Sequence, residues 1–108
     1  MIEAYVSSML YDDIISALCS KGMNLNSVIQ VLVAIASILH KPLLITPETA
    51  ISALTLYIKH GGPGKLHYFD AFHVAIARQH GLPMITSDNY INAHQQDLGI
   101  TVYNLKRI

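Results

Sequence analysis

The chain has no tryptophan, a single cysteine and few charges: only 13% of its 108 residues are Asp, Glu, Lys or Arg. Cys19 alone makes no internal disulfide, and a reducing, cytoplasmic setting fits. Seven basic residues oppose seven acidic ones, so the formal net charge is zero. That balance makes a poor constitutive nucleic-acid coat, because phosphate neutralisation drives such binding; contact with a nucleic acid needs a local site or a metal. Long hydrophobic runs are missing too. The most apolar stretch, VIQVLVAIASIL at residues 28 to 39, is interrupted by Gln30 and Ser37. It falls short of the ~20 apolar residues of a spanning helix, so no membrane segment is expected. The start, MIEAYVSSM, places Glu3 early and has no cationic lead, unlike a signal peptide. There is no internal repeat, low-complexity tract or charge block. The one linker-like stretch, HGGPGK at residues 60 to 65, is too short to separate domains.

What is present is apolar residue, at 52% of the chain, and this excludes a disordered polymer. A chain of this length has room for a single domain, spanning 1–108. Its pattern alternates between strand-like and helix-like segments. EAYVS (3 to 7) reads as a short strand, and Ser7 or Ser8 is placed to cap a helix that Gly22 ends. Asn26 is expected to cap a second helix over 27–40, apolar around nearly its whole circumference and so buried or set against a partner chain. PLLIT (42 to 46) reads as a strand, and Thr46-Pro47 as the start of a helix that stops at Gly61. A helix over about 67–80 ends at Gly81 and Pro83; PMIT (83 to 86) is a strand; Asp88 caps a short helix through Gln96; and ITVYNL closes as the last strand. Strands separated by helices imply an α/β fold: a mostly parallel sheet of about four short strands between two helical layers. Function in such sheets lies beyond the carboxyl ends of the strands.

The chemistry must come from seven carboxylates. Glu48 suits the positive end of a helix, Asp97 a turn and Glu3 a solvated strand. Asp88 follows a strand end and opens a helix, where an N-cap is the plain structural alternative. Asp70 lies in the first turn of an apolar helix between Phe69 and Phe72, a setting in which a carboxylate needs a cation or donors. Of Asp12 and Asp13, one is expected to face solvent and the other to share a face with apolar neighbours. Aspartates converging from strand ends and helix starts repel one another unless a divalent cation sits among them, and hard oxygen ligands select Mg²⁺ or Mn²⁺.

His67, Asp70 and His73 follow one another at intervals of three, so adjacent members are neighbours on one helix. The two histidines splay by about a third of a turn, which disfavours a histidine-only metal site. His73 is instead expected as a helix-face histidine near the acidic site. His40, His60, His80 and His94 read as surface residues. No HExxH, Cys/His cluster, GxSxG or phosphate loop accompanies them.

The run KLHYFDAFHVAIARQHGLPMITSDNYI resembles the C-terminal half of a PIN domain, the fold of VapC-type toxin ribonucleases. The family pattern is an aspartate opening an apolar helix, then a glycine-leucine turn, an apolar strand and T-x-D. Asp70, Gly81-Leu82 and Thr86-Ser87-Asp88 stand at those places. Upstream, IEAYVSSMLYDDIISAL resembles the family's second strand and helix, with Asp13 at its acidic position in place of the usual glutamate. The resemblance covers essentially the whole chain. It also implies that the family's first strand and its aspartate are missing: the chain begins just before the second strand, as a fragment, a gene started at an internal methionine or a shortened paralogue would. A sheet without its middle strand has unpaired edges, which favour self-association.

The resemblance implies a ribonuclease. Asp13, Asp70 and Asp88 are its implied catalytic and metal-holding residues for Mg²⁺ or Mn²⁺, with Thr86 and Ser87 bonding a carboxylate or a water. RNA is the implied substrate and a small antitoxin the implied partner, with a homo-oligomer expected. Activity is expected to be impaired by the missing strand. The alternative is a catalytically inactive, PIN-like dimerisation or partner-binding module in which Asp70 and Asp88 merely cap helices.

Overall fold

The structure is a computed structural model that describes residues 4–38 and 40–105. Glu3, expected on the first strand, lies outside the described residues. The elements run β1 (Tyr5–Ser7), α1 (Leu10–Ser20), α2 (Leu25–Ala36), β2 (Lys41–Leu43), α3 (Pro47–His60), α4 (Tyr68–Gln79), β3 (Met84–Thr86), α5 (Asn89–Ala93), α6 (Gln95–Leu98) and β4 (Val102–Asn104). This is the mixed α/β composition expected, with four short strands. They pair as two parallel ladders, β1 with β2 and β3 with β4. The chain divides into two compact units, Met1–Leu44 and Ile45–Ile108, each holding one ladder.

In the first unit Tyr5 pairs with Lys41, Val6 with Pro42 and Ser7 with Leu43. α1 and α2 form the crossover between the two strands. The cap of α1 differs from expectation: Met9 occupies the N-cap with no side-chain bond, and the Ser7 hydroxyl accepts the Met9 N–H from two residues away. Gly22 turns the chain at φ +85°, as a helix-ending glycine does. The cap of α2 is Asn24, whose Oδ1 accepts the Ser27 N–H at 2.9 Å, and not Asn26; the helix accordingly starts two residues earlier than expected. α2 is not a buried helix either. Only Val28 is buried, while Leu25, Ile29 and Val33 are more than half exposed. Those three recur every fourth residue, so they share one apolar stripe on the helix surface. At the end of the crossover the Ile38 carbonyl can only accept, so His40 Nδ1 donates to it, while Nε2 lies 2.6 Å from the Tyr11 hydroxyl.

In the second unit α3 begins as the sequence indicates. Pro47 sits in the first turn, and Thr46 and Thr49 exchange bonds in a capping box. Thr49 also donates to the Gln79 side chain at the far end of α4, so the two helices run antiparallel. Thr49, Ala53, Leu56 and His60 form the buried stripe of α3, and α4 buries Ala71, Phe72 and Val74 through Ala77. Alanines at Ala53, Ala71 and Ala75, each no more than 1% exposed, let the two backbones approach closely. Gly61 stops α3 for a steric reason: a Cβ there would lie 2.5 Å from the Tyr57 carbonyl oxygen and 2.7 Å from its ring. Ile91 and Leu98, both fully buried, anchor α5 and α6. The expected single helix through Gln96 is broken at His94, whose backbone leaves helical geometry.

His60 is the main departure from the sequence reading, which placed it on the surface. It is 5% exposed, and its Nδ1 lies 2.7 Å from the Tyr90 hydroxyl. Tyr90 in turn stacks on His94 at 3.9 Å between ring centroids. Among the described residues, Nε2 of His60 has no hydrogen-bond partner. The neutral ring with its proton on Nδ1 leaves only a lone pair unmet; the imidazolium would bury an N–H as well. Burial, followed by the charge of Lys59, holds its pKa below the ordinary 6.5, against a smaller opposing pull from Asp97. The folded state therefore takes up this proton less readily than the unfolded chain. Its stability contribution is complete above pH 6.5 and is lost as the pH falls through that value. Urea unfolding at pH 7.5, 6 and 5 is expected to show falling stability, with the decline flattened in His60→Asn. An unchanged slope in that variant would remove His60 from the account.

Candidate functional site

Asp70 stands in the first turn of α4 and His73 one turn later, and both are half-buried. The helix explains this. With Ala71, Phe72 and Val74 through Ala77 turned into the core, the face carrying Asp70 and His73 is the one left partly open. A carboxylate oxygen of Asp70 and a ring nitrogen of His73 lie within 4.8 Å of each other. One divalent ion could accept both atoms. His67, a turn earlier, is the exposed N-cap of α4 and makes no capping bond.

Asp88 lies beyond the carboxyl end of β3, where α/β sheets place their functional groups. It is the N-cap of α5, as the structural alternative had it: Oδ1 accepts the Ile91 N–H at 2.9 Å. The N–H of Asp88 donates to the Thr86 hydroxyl at 3.1 Å. Sequence reasoning did not reach Asn92. Its amide donates to the Thr86 carbonyl at 3.1 Å and to the Asp88 carbonyl at 2.8 Å, clamping both sides of the turn. Ser87, between them, is exposed. One Asp88 oxygen is thus held by the cap, a local bond that aims the carboxylate. Capping and metal ligation are compatible duties, because a carboxylate has two oxygens.

Asp13 belongs to α1 in the first unit, where it is half-buried while Asp12 is exposed. The division of the Asp12-Asp13 pair between solvent and a more sheltered face follows the sequence expectation. In the second unit, then, Asp70 and His73 come together on one helix, and Thr86, Ser87 and Asp88 share one turn. A cleft of about 580 Å³ lies elsewhere, at the amino ends of β3 and β4, between Arg78, Leu82, Gln95, Thr101 and Tyr103. It contains none of these carboxylates.

The two duties of Asp88 are separable. Asp88→Ala removes the cap and is expected to cost about 1 kcal/mol of stability. Asp88→Asn keeps an oxygen for the Ile91 N–H and is expected to cost only a few tenths. Thermal or urea unfolding of both variants checks this; equal losses would mean that the cap bond contributes little.

The pair of Asp70 and His73, a carboxylate with an imidazole, fits a divalent cation by its chemistry. Comparison with curated proteins and with solved structures found no match. Comparison with protein families matched the PIN domain over residues 2–95, a span that takes in α1 with Asp13, α4 with Asp70 and the turn carrying Asp88. That match covers most of the chain, which therefore belongs to the PIN domain family.

Proposed function

We propose that this PIN domain is a divalent-metal-dependent ribonuclease of the VapC toxin type, hydrolysing RNA phosphodiesters, with residues 1–108 acting as one domain. The observation that carries the reading is the half-buried Asp70 carboxylate on α4, with a second donor atom from His73 within 4.8 Å, in a chain of nuclease-type family. Asp70 and Asp88 hold Mg²⁺ or Mn²⁺ from the second unit. Asp13 enters the proposal on its sequence motif and on its half-buried position beside an exposed Asp12.

When bound, such an ion supplies a water of lowered pKa and neutralises charge on the phosphate. The chain supplies the rest. The α4 helix fixes the direction of the Asp70 carboxylate. The Thr86-Asp88-Asn92 turn fixes that of Asp88, and the Thr86 hydroxyl keeps a proton it can donate to a water or a carboxylate oxygen. Zero net charge is no obstacle, since the cation provides local attraction for RNA. A cytoplasmic setting and a small antitoxin that covers the site belong to the same proposal.

A second reading, a module for self-association or partner binding, is favoured by one observation: the exposed stripe of Leu25, Ile29 and Val33 on α2. Isolated exposed apolar residues are ordinary, but a stripe along one helix face is the form that helix pairing uses.

Incubation of the purified chain with labelled RNA and Mn²⁺ is expected to give weak cleavage that EDTA stops and that Asp70→Asn or Asp88→Asn abolishes. Failure to take up metal at millimolar concentration in calorimetry, or cleavage indifferent to Asp70→Asn, would overturn the nuclease. Self-association is read by light scattering: Ile29→Asp with Val33→Asp is expected to convert a dimer to a monomer, and a wild-type chain monomeric at all concentrations would dispose of that reading.

A further inference from the structure

The acidic residues account for a generic oxygen site, but the α4 face also carries nitrogen. We infer that His73 is a direct metal ligand, paired with Asp70, and that it makes the site one for Mn²⁺ in preference to Mg²⁺. This inference rests on the metal-dependent reading above and goes further by assigning a ligand and a choice of ion.

Three observations support it. The donor atoms of Asp70 and His73 lie within 4.8 Å of each other, close enough for both to bond one ion without moving the backbone. Both side chains are half-buried, so the imidazole is sheltered at the carboxylate's side and does not sweep through solvent. The interval is also chemically familiar: an acidic residue and a histidine three apart on a helix project inward together in carboxylate metal sites of helical bundles. The other histidine at that interval, His67, sits at the exposed helix cap and lacks the shelter.

The choice of ion follows from the ligand. Mg²⁺ is hard, holds its waters tightly and is bound through a few carboxylates. Imidazole nitrogen suits transition ions, whose affinity for such sites rises along the series beginning at Mn²⁺. A site of carboxylates alone would separate Mg²⁺ from Mn²⁺ weakly; one nitrogen in the set tilts it towards Mn²⁺.

The test uses the full chain and Mn²⁺ alone as the probe. Wild-type protein loaded with Mn²⁺ is expected to show ¹⁴N modulation from a coordinated imidazole in electron spin-echo spectra. His73→Gln is expected to lose that modulation, and His67→Gln to keep it. By titration, His73→Gln is expected to weaken Mn²⁺ about tenfold or more while changing Mg²⁺ by no more than about twofold. Bound Mn²⁺ without nitrogen modulation in the wild type overturns the ligand assignment and leaves the metal-dependent reading standing. The wild-type spectrum decides this even if a variant does not fold. Modulation that persists in His73→Gln also overturns it. No Mn²⁺ uptake at millimolar concentration overturns both.

Discussion

The packing of α4 against α3 is the constraint on which the candidate chemistry depends. α4 commits most of its circumference to the core, from Ala71 to Ala77 apart from His73. A helix buried so widely has no freedom to rotate, because any rotation would expose Val74 or Phe72 and bury a carboxylate. The direction of Asp70 and His73 is therefore a by-product of where the apolar residues go. Thr49, donating to Gln79, adds a polar tie that fixes the axial position of the same pair of helices. Alanines at the contact bring the backbones close, and close contact is what makes an interior intolerant of sliding.

A second support runs through α5. Ile91 is fully buried, Tyr90 reaches the buried His60, and Asn92 closes the turn that precedes them. Three successive residues of one short helix thus do three different jobs: a polar link to α3, an apolar anchor, and a clamp on Asp88. This explains how a helix of five residues, too short to be stable by itself, holds its place. His60 is the weak point of the arrangement, because its unmet nitrogen makes the ring tolerable inside only while it stays neutral.

Much of this was legible in the residues. Thr46-Pro47 announces α3, Gly81 with Pro83 ends α4, and Gly99 at φ +73° closes α6. Each is a local signal whose cause lies within a few residues. The α/β class followed from the alternation, and Asp70, Thr86 and Asp88 were singled out at the helix start and strand end where the structure has them. Other features were not legible, for physical reasons. Asn24 and Asn26 are chemically equal caps, and the side chain alone does not say which of them bonds the first turn. His60 carried a readable signal that its polarity masked: it completes the buried series Thr49, Ala53, Leu56 at helical spacing. The break at His94 coincides with its ring stacking on Tyr90, a contact that no propensity encodes. The bonds of Asn92 depend on the curl of the turn, which appears only once the strand and α5 are in place.

The bonds that aim Asp88 come from Thr86, Ile91 and Asn92, none more than four residues away along the chain. Contacts of such short range need no distant loop closure, so they can form early and quickly, in the time of local structure and ahead of slower long-range pairing. Their survival is not local in the same way: α5 is held by the buried Ile91 and by the Tyr90–His60 contact, so amide exchange at Ile91 should report the opening of that packing.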